Sequence, residues 1–303
     1  MEKSVWKEME KRCRLCPRMC GADRAGGEKG YCGMGSQATA ARAALHYWEE
    51  PCLSGEEGSG TVFFTGCTLR CVYCQNAAIP AGRTGKEITA DRLAELYLML
   101  QEQGANNINL VTPTHFLPQI AESLESARKQ GLKLPIVYNT SGYERVETLK
   151  YLQGMVDIYL PDFKYWKKET AEKYSAAPDY PETARAALEE MVRQVPEPVF
   201  GQRGTMQKGV IVRHLLLPGH LEEGKRIVKY LHETYKDRIY LSLLNQYTPL
   251  PHVKPWPELC RKVSRREYDR LVNFALDLGV ENGFIQEGET ASESFIPEFD
   301  CNL

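Results

Sequence analysis

The stretch Thr65-Gly66-Cys67-Thr68-Leu69-Arg70-Cys71-Val72-Tyr73-Cys74-Gln75-Asn76 decides how the rest of this chain is read. Three cysteines stand at C-x3-C-x2-C, directly after an apolar run from Thr61 to Phe64 that reads as a short buried strand. Thiolates on one tight loop are suited to hold an iron–sulfur cluster. Three are too few to saturate four irons, so one iron stays open, and an open metal position separates a reactive site from a closed structural one. The plainer alternatives are three free buried thiols or a partial zinc site.

Length and composition set the frame. The chain has 303 residues, 43% apolar and 26% charged, as in ordinary globular proteins. A net charge of −2 gives no electrostatic case for a nucleic-acid partner. The basic cluster Arg261, Lys262, Arg265 and Arg266 reads as a solvated helix start. No apolar run approaches the roughly 18 residues of a membrane span, and the N-terminus lacks a secretory apolar core. Seven of the ten cysteines fall in two clusters before residue 75. In a chain of this size that spacing points to metal in a reducing compartment rather than to a disulfide framework. The expected location is the cytoplasm.

The Cys67–Asn76 segment, with Tyr73 as the aromatic of C-x3-C-x-aromatic-C, resembles the cluster loop of radical S-adenosylmethionine (radical SAM) enzymes. Within them it is most similar to the pyruvate formate-lyase activating enzyme branch. The resemblance implies that Cys67, Cys71 and Cys74 ligate a [4Fe–4S] cluster whose fourth iron chelates SAM. One electron then cleaves SAM to a 5'-deoxyadenosyl radical, which takes hydrogen from the substrate. Such chemistry needs an electron donor such as flavodoxin or ferredoxin, and the substrate is a protein, a peptide or a small molecule. The protein itself supplies position, dryness and electrostatics.

Upstream, Cys13, Cys16, Cys20 and Cys32 form C-x2-C-x3-C-x11-C around a Gly-rich turn. Four thiols at this spacing close a zinc site, hold a second iron–sulfur cluster, or form a knot of free cysteines. The module resembles the Cys-rich N-terminal extension of a subgroup of activating-enzyme-like proteins. Residues 36–60, acidic and turn-rich at Glu49-Glu50-Pro51 and beyond, read as a linker that leads into the first strand and either is plain loop or lines the mouth of the site. The expected division is a Cys-rich module and linker over 1–55 and a catalytic domain over 56–303.

From residue 61 strands alternate with helices, which predicts a parallel sheet. Strands are expected at 61–64, 108–111, 135–138, 156–160, 210–217 and 239–244. Helices are expected at the N-terminus, from Thr89, over 115–129, from a Ser141–Glu144 capping box, over 168–195, and from a Ser264–Glu267 capping box. Six units make a partial (β/α)6 TIM-like barrel, with a final strand and tail after Phe284. In parallel barrels functional side chains sit where strands end. The candidates are therefore Thr112, Thr114 and His115 after the second strand, Asn139 and Thr140 after the third, Asp162 and Lys164 after the fourth, and Arg213 and His214 on the fifth.

The resemblance gives Asn139, Asp162 and Arg213 a part in binding SAM. Activating enzymes carry Gly-Gly-Glu where this chain has Thr112-Pro113-Thr114-His115, so the replacements for that contact are the oxygens of Thr112 and Thr114 or the local backbone, with a helix N-cap as the plainer role of Thr114. Arg213 either touches SAM or serves as the buried partner of Asp162. His115 and His214 are either proton donors or structurally satisfied. Three functions follow: a glycyl-radical-enzyme activase, a radical SAM enzyme acting on another peptide or small molecule, and a non-catalytic iron–sulfur or zinc protein.

Overall fold

The computed structural model describes residues 3–77, 79, 84–286, 299, 301 and 303. The N-terminal helix α1 (Lys3–Lys11) presents Trp6 to the core, where its ring packs 5.2 Å from that of Tyr151. After the cysteine-rich loop the chain enters β1 (Ala38–His46), helix α2 (Pro51–Ser54) and β2 (Ser59–Phe64). Strand β3 (Lys86–Ile88) and helix α3 (Ala90–Glu102) follow. The units β4 (Ile108–Val111), α4 (Leu117–Lys129), β5 (Ile136–Thr140), α5 (Val146–Lys150) and β6 (Ile158–Pro161) come next. Helices α6 (Lys168–Ser175) and α7 (Tyr180–Gln194) lead to β7 (Val199–Phe200) and β8 (Met206–Leu215). The last units are α8 (Leu221–Tyr235), β9 (Tyr240–Leu244), α9 (Arg265–Asp277) and β10 (Gly283–Ile285).

One sheet runs β10-β9-β8-β6-β5-β4-β2-β1-β3, with β7 paired to β8. Every neighbour from β2 to β10 along that order is parallel. This is the partial barrel that the strand–helix alternation predicts, and all six expected strands are present. A short seventh parallel strand, β10, extends it, and the tail over 287–298 lies outside the described residues.

The helical segment expected over 168–195 is broken into α6 and α7 at a left-handed Ala176, and two further features differ from the sequence reading. The stretch read as a linker contains β1, which pairs antiparallel with β2 and carries β3 on its other side. The expected capping box at Ser141–Glu144 does not form. The Glu144 carboxylate accepts instead from Thr114 Oγ1 (2.6 Å), Tyr138 OH (3.2 Å) and Thr140 Oγ1, and the helix starts later, at Val146. The other expected caps hold: Thr89 caps α3 through Arg92 N (3.1 Å), and Ser264 and Glu267 form the expected box on α9.

Helix α2 stoppers the lower end of the barrel. Cys52 and Leu53 pack with Val137, Ile158, Leu160 and Ile211, while Asn106 and Asn107 donate to the carbonyls of Ser54 (2.7 Å) and Leu53 (2.8 Å). Burying these apolar side chains contributes on the order of 1.5–3 kcal/mol each. It also leaves the polar chemistry to the opposite, carboxyl end of the strands.

Candidate active site

A cavity of about 890 Å³ opens inside the barrel, large for a single small-molecule site. Cys67, Cys71 and Cys74 all line it, as do Tyr73, Thr112, Asn139, Asp162, Lys164 and Arg213. The cysteine loop follows β2 directly. A left-handed Arg70 (φ 57°) curls it, Leu69 N donates to Cys67 Sγ (3.4 Å), and Ser175 Oγ donates to Cys71 Sγ (3.2 Å). Gly66, at φ +87°, begins the loop. A Cβ there would lie 2.5 Å from Met34 Cγ and 3.0 Å from both the Cys32 carbonyl oxygen and His115 Nε2, so only glycine fits.

Tyr73 is buried in an aromatic cluster, its ring 6.2–6.3 Å from those of Tyr165, Tyr174 and Tyr247. These edge-to-face contacts build an apolar wall behind the cysteines. Burial pushes the Cys67 thiol up, and burial with the neighbouring Cys67 and Cys71 sulfurs pushes Cys74 up to about 12. Thiols raised as those of Cys67 and Cys74 are ionise only against a strong positive centre, so the donor set suits a metal cluster and suits free thiolates poorly. Among the described residues, no three His, Cys, Asp or Glu side chains are drawn to the spacing that one metal ion requires. An iron–sulfur cluster does not ask for that spacing, because each thiolate binds a different iron.

Facing the cysteines is a continuous polar chain. Lys164 Nζ donates to Asp162 Oδ2 (2.7 Å), and Arg213 Nε donates to Asp162 Oδ1 (2.9 Å). Arg213 Nη2 donates to Asn139 Oδ1 (2.6 Å) and Nη1 to Glu49 Oε2 (3.2 Å). Burial would raise the Asp162 carboxyl, but Arg213 and Lys164 together hold it below its usual range. Asn109 and Asn139 donate to the other oxygen of Glu49, at 3.1 and 3.2 Å. Burial pushes Glu49 and its neighbour Glu50 up, against the charge of Arg213, and Glu50 Oε2 has no partner among the described residues.

The structure thus brings together Cys67, Cys71, Cys74, Tyr73, Thr112, Asn139, Asp162 and Arg213. Arg213 is paired with Asp162, as the plainer reading of that arginine expects. The other residues after β4 turn away from the cavity: Thr114 binds Glu144, and His115 Nε2 meets the Thr65 carbonyl oxygen at 2.7 Å. Burial drives His115 down to about 3, so it is neutral near pH 7. His214 is likewise buried, held by the Phe163 carbonyl oxygen (2.8 Å) and lowered by burial. Neither histidine lines the cavity. Glu49 and Glu50 are the members that strand-end reasoning passes over, because they enter from the β1–α2 connection rather than from a strand end. Their signal was an acidic pair immediately before Pro51.

A family model described as the radical SAM superfamily matches residues 61–231, more than half of the chain. The chain belongs to the radical SAM superfamily. Proteins of this superfamily use a [4Fe–4S] cluster and SAM, which the three-thiol loop and its cavity fit. A relative, an uncharacterised protein of Methanocaldococcus jannaschii, is 27% identical over 281 residues, 89% of this chain and 76% of that one. Among solved structures, Streptococcus suis SuiB bound to precursor peptide SuiA superposes with a TM-score of 0.49 at 14% identity, over 73% of this chain and 46% of that one. The FeFe-hydrogenase maturase HydG from Carboxydothermus hydrogenoformans gives 0.43 at 17%, over 77% and 58%. The chain spans about half the length of these solved structures. Among the described residues no helix is long and apolar enough to cross a membrane.

The upstream cysteines also gather. Cys13, Cys16 and Cys32 are buried and Cys20 is exposed. The sulfurs of Cys20 and Cys32 each lie 3.4 Å from the point where a Cβ on Gly30 would stand. Burial pushes the Cys13, Cys16 and Cys32 thiols up.

Proposed function

We propose that this chain holds a [4Fe–4S] cluster on Cys67, Cys71 and Cys74, binds SAM against it, and abstracts hydrogen from a substrate admitted to the same cavity. When bound, the cluster and SAM supply reductive cleavage of the sulfonium and the 5'-deoxyadenosyl radical. The chain's residues supply the rest. Asp162, held ionised between Lys164 and Arg213, offers a fixed anion toward cationic groups of SAM, while Lys164 and Arg213 face its carboxylate. Asn139 and Thr112 add neutral hydrogen-bonding groups at adjacent strand ends. Tyr73 and the rings behind it keep water from the cluster side. The observation that carries this reading is the sharing of one cavity by the three cysteines and the Lys164–Asp162–Arg213–Asn139 chain.

The finer reading is an activase that takes hydrogen from a backbone glycine of a partner enzyme, with flavodoxin or ferredoxin as electron donor. It rests on the Cys67–Asn76 resemblance. A second reading, hydrogen abstraction from another peptide or a small molecule, is favoured by the segment after β4. With Thr114 and His115 turned away, that segment brings only Thr112 to the cavity and no carboxylate. Anaerobic reconstitution with iron, sulfide, dithionite and SAM tests the common core: 5'-deoxyadenosine should form. An intact cluster that yields none would sink it. Product formed only with a glycyl-radical-type partner, and a radical stored on that partner, selects the activase.

A further inference from the structure

Arg24 is fully buried, yet its hydrogen bonds go to the carbonyl oxygens of Gly35 (Nε, 2.9 Å) and His115 (Nη1, 2.7 Å), with Nη1 4.0 Å from Cys13 Sγ. It stands 5.8 Å from the Phe116 ring centre and makes no ion pair among the described residues. A guanidinium does not give up its proton, and a lone buried cation is strongly destabilising. The Glu10 carboxylate is engaged by Gln119 Nε2 (2.8 Å) and makes no ion pair with Arg24, whereas Cys13 Sγ lies beside Nη1 and the sulfurs of Cys20 and Cys32 lie with Arg24 Cδ around Gly30. With the thiols neutral no anion pairs with Arg24. Four thiolates on a [4Fe–4S] core of charge +2 carry a net charge of about −2 and supply one.

The same module is pressed onto the loop that precedes and contains Cys67. Arg18, between Cys16 and Cys20, donates from Nε to the Thr68 carbonyl (3.0 Å) and from Nη2 to those of Leu69 (3.4 Å) and Ser175 (2.9 Å). Its guanidinium lies 4.3 Å from the Tyr31 ring centre, and Arg70 reaches the same ring at 4.9 Å. The Cys32 carbonyl closes on Gly66, and Arg24 reaches Thr65 through His115.

We propose that Cys13, Cys16, Cys20 and Cys32 bind a second metal centre as thiolates, that the buried Arg24 is its counter-cation, and that the loaded module is the clamp that sets the 65–74 loop. Arg18 and Arg24 are positioning residues here. The centre is a second iron–sulfur cluster, because no three of these thiols are drawn to the spacing of a single ion.

The test uses the full chain with Cys67, Cys71 and Cys74 all changed to alanine, which removes the first site and makes the result independent of whether SAM chemistry occurs. Metal analysis should find about four irons per chain. Arg24→Gln should lose most of that metal to a chelator, and Arg24→Lys should retain more. Stripping the metal should raise amide exchange over residues 65–75 about tenfold while α8 and α9 stay protected. If Arg24→Gln does not fold, Cys20→Ser, at an exposed position, serves instead. A triple variant that takes up no iron, or one zinc alone, overturns the proposal, as does an exchange pattern over 65–75 indifferent to metal.

Discussion

Replacing Arg213 with methionine is the sharpest probe of the polar chain, because it removes one cation from between two buried carboxylates. The side chains of Arg213, Glu49 and Asp162 are 16%, 9% and 19% exposed, so solvent screens little. Breaking a buried ion pair by deleting one partner costs about 3–5 kcal/mol. Lys164 still holds Asp162 at 2.7 Å, which places the expected loss near the lower end, about 3 kcal/mol, or roughly 6 °C in Tm for a chain of this size. The sign of the pH dependence follows. In the variant, Glu49 loses the charge that opposes its burial, so its folded pKa rises further above its unfolded value. The folded state then binds more protons than the unfolded state in that window, and stability falls as pH rises. The parent loses its Asp162 contribution only in acid, as pH falls through the depressed folded pKa. The gap between parent and Arg213→Met should therefore be widest near pH 8 and narrower near pH 5.5, read by urea unfolding at both. SAM binding, read by calorimetry on reconstituted protein, should weaken at least tenfold. Equal stability of parent and variant, or a gap that does not change with pH, would refute the reasoning.

Cys71→Ala should leave the circular dichroism unchanged and abolish both the cluster's visible absorption and 5'-deoxyadenosine formation. Glu144 gives a second pH signature. Burial lifts its carboxyl to about 7, so the parent should lose on the order of 3 kcal/mol as pH rises from about 4.5 to 7, and Glu144→Gln should flatten that slope; an unchanged slope would contradict it. Gly66→Ala forces a Cβ into Met34 and Cys32 at a left-handed φ, which costs at least about 1–2 kcal/mol before the clash is counted and should lower iron content. Full iron loading with unchanged Tm would count against the loop packing described here.

Strand-end reasoning names residues that line the cavity where side chains alternate along parallel strands. Asn139, Asp162 and Arg213 sit on neighbouring strands or at their ends, and the register of β5, β6 and β8 brings them to one level, with Asp162 and Arg213 bridged directly. It failed where tertiary context overrode local signals. Ala38–His46 is alanine-rich, a composition that favours helix, yet it is a strand because small side chains let it lie between β2, β3 and the apolar face of α3. Glu144 follows Ser141 at capping-box spacing, but three hydroxyl groups, that of Thr114 distant in sequence, compete for its carboxylate and win. Arg24 carried no local sign at all. Its burial depends on the cysteine loop folding over it, which no window of sequence displays.

Helix α2 has a kinetic corollary. Because Cys52 and Leu53 cork the far end of the strands, the described part of the barrel is a blind-ended well rather than a tunnel. A ligand that reached Glu49 and Glu50 would be closed off at the Cys52–Leu53 end and would leave from the side of the cysteine loop.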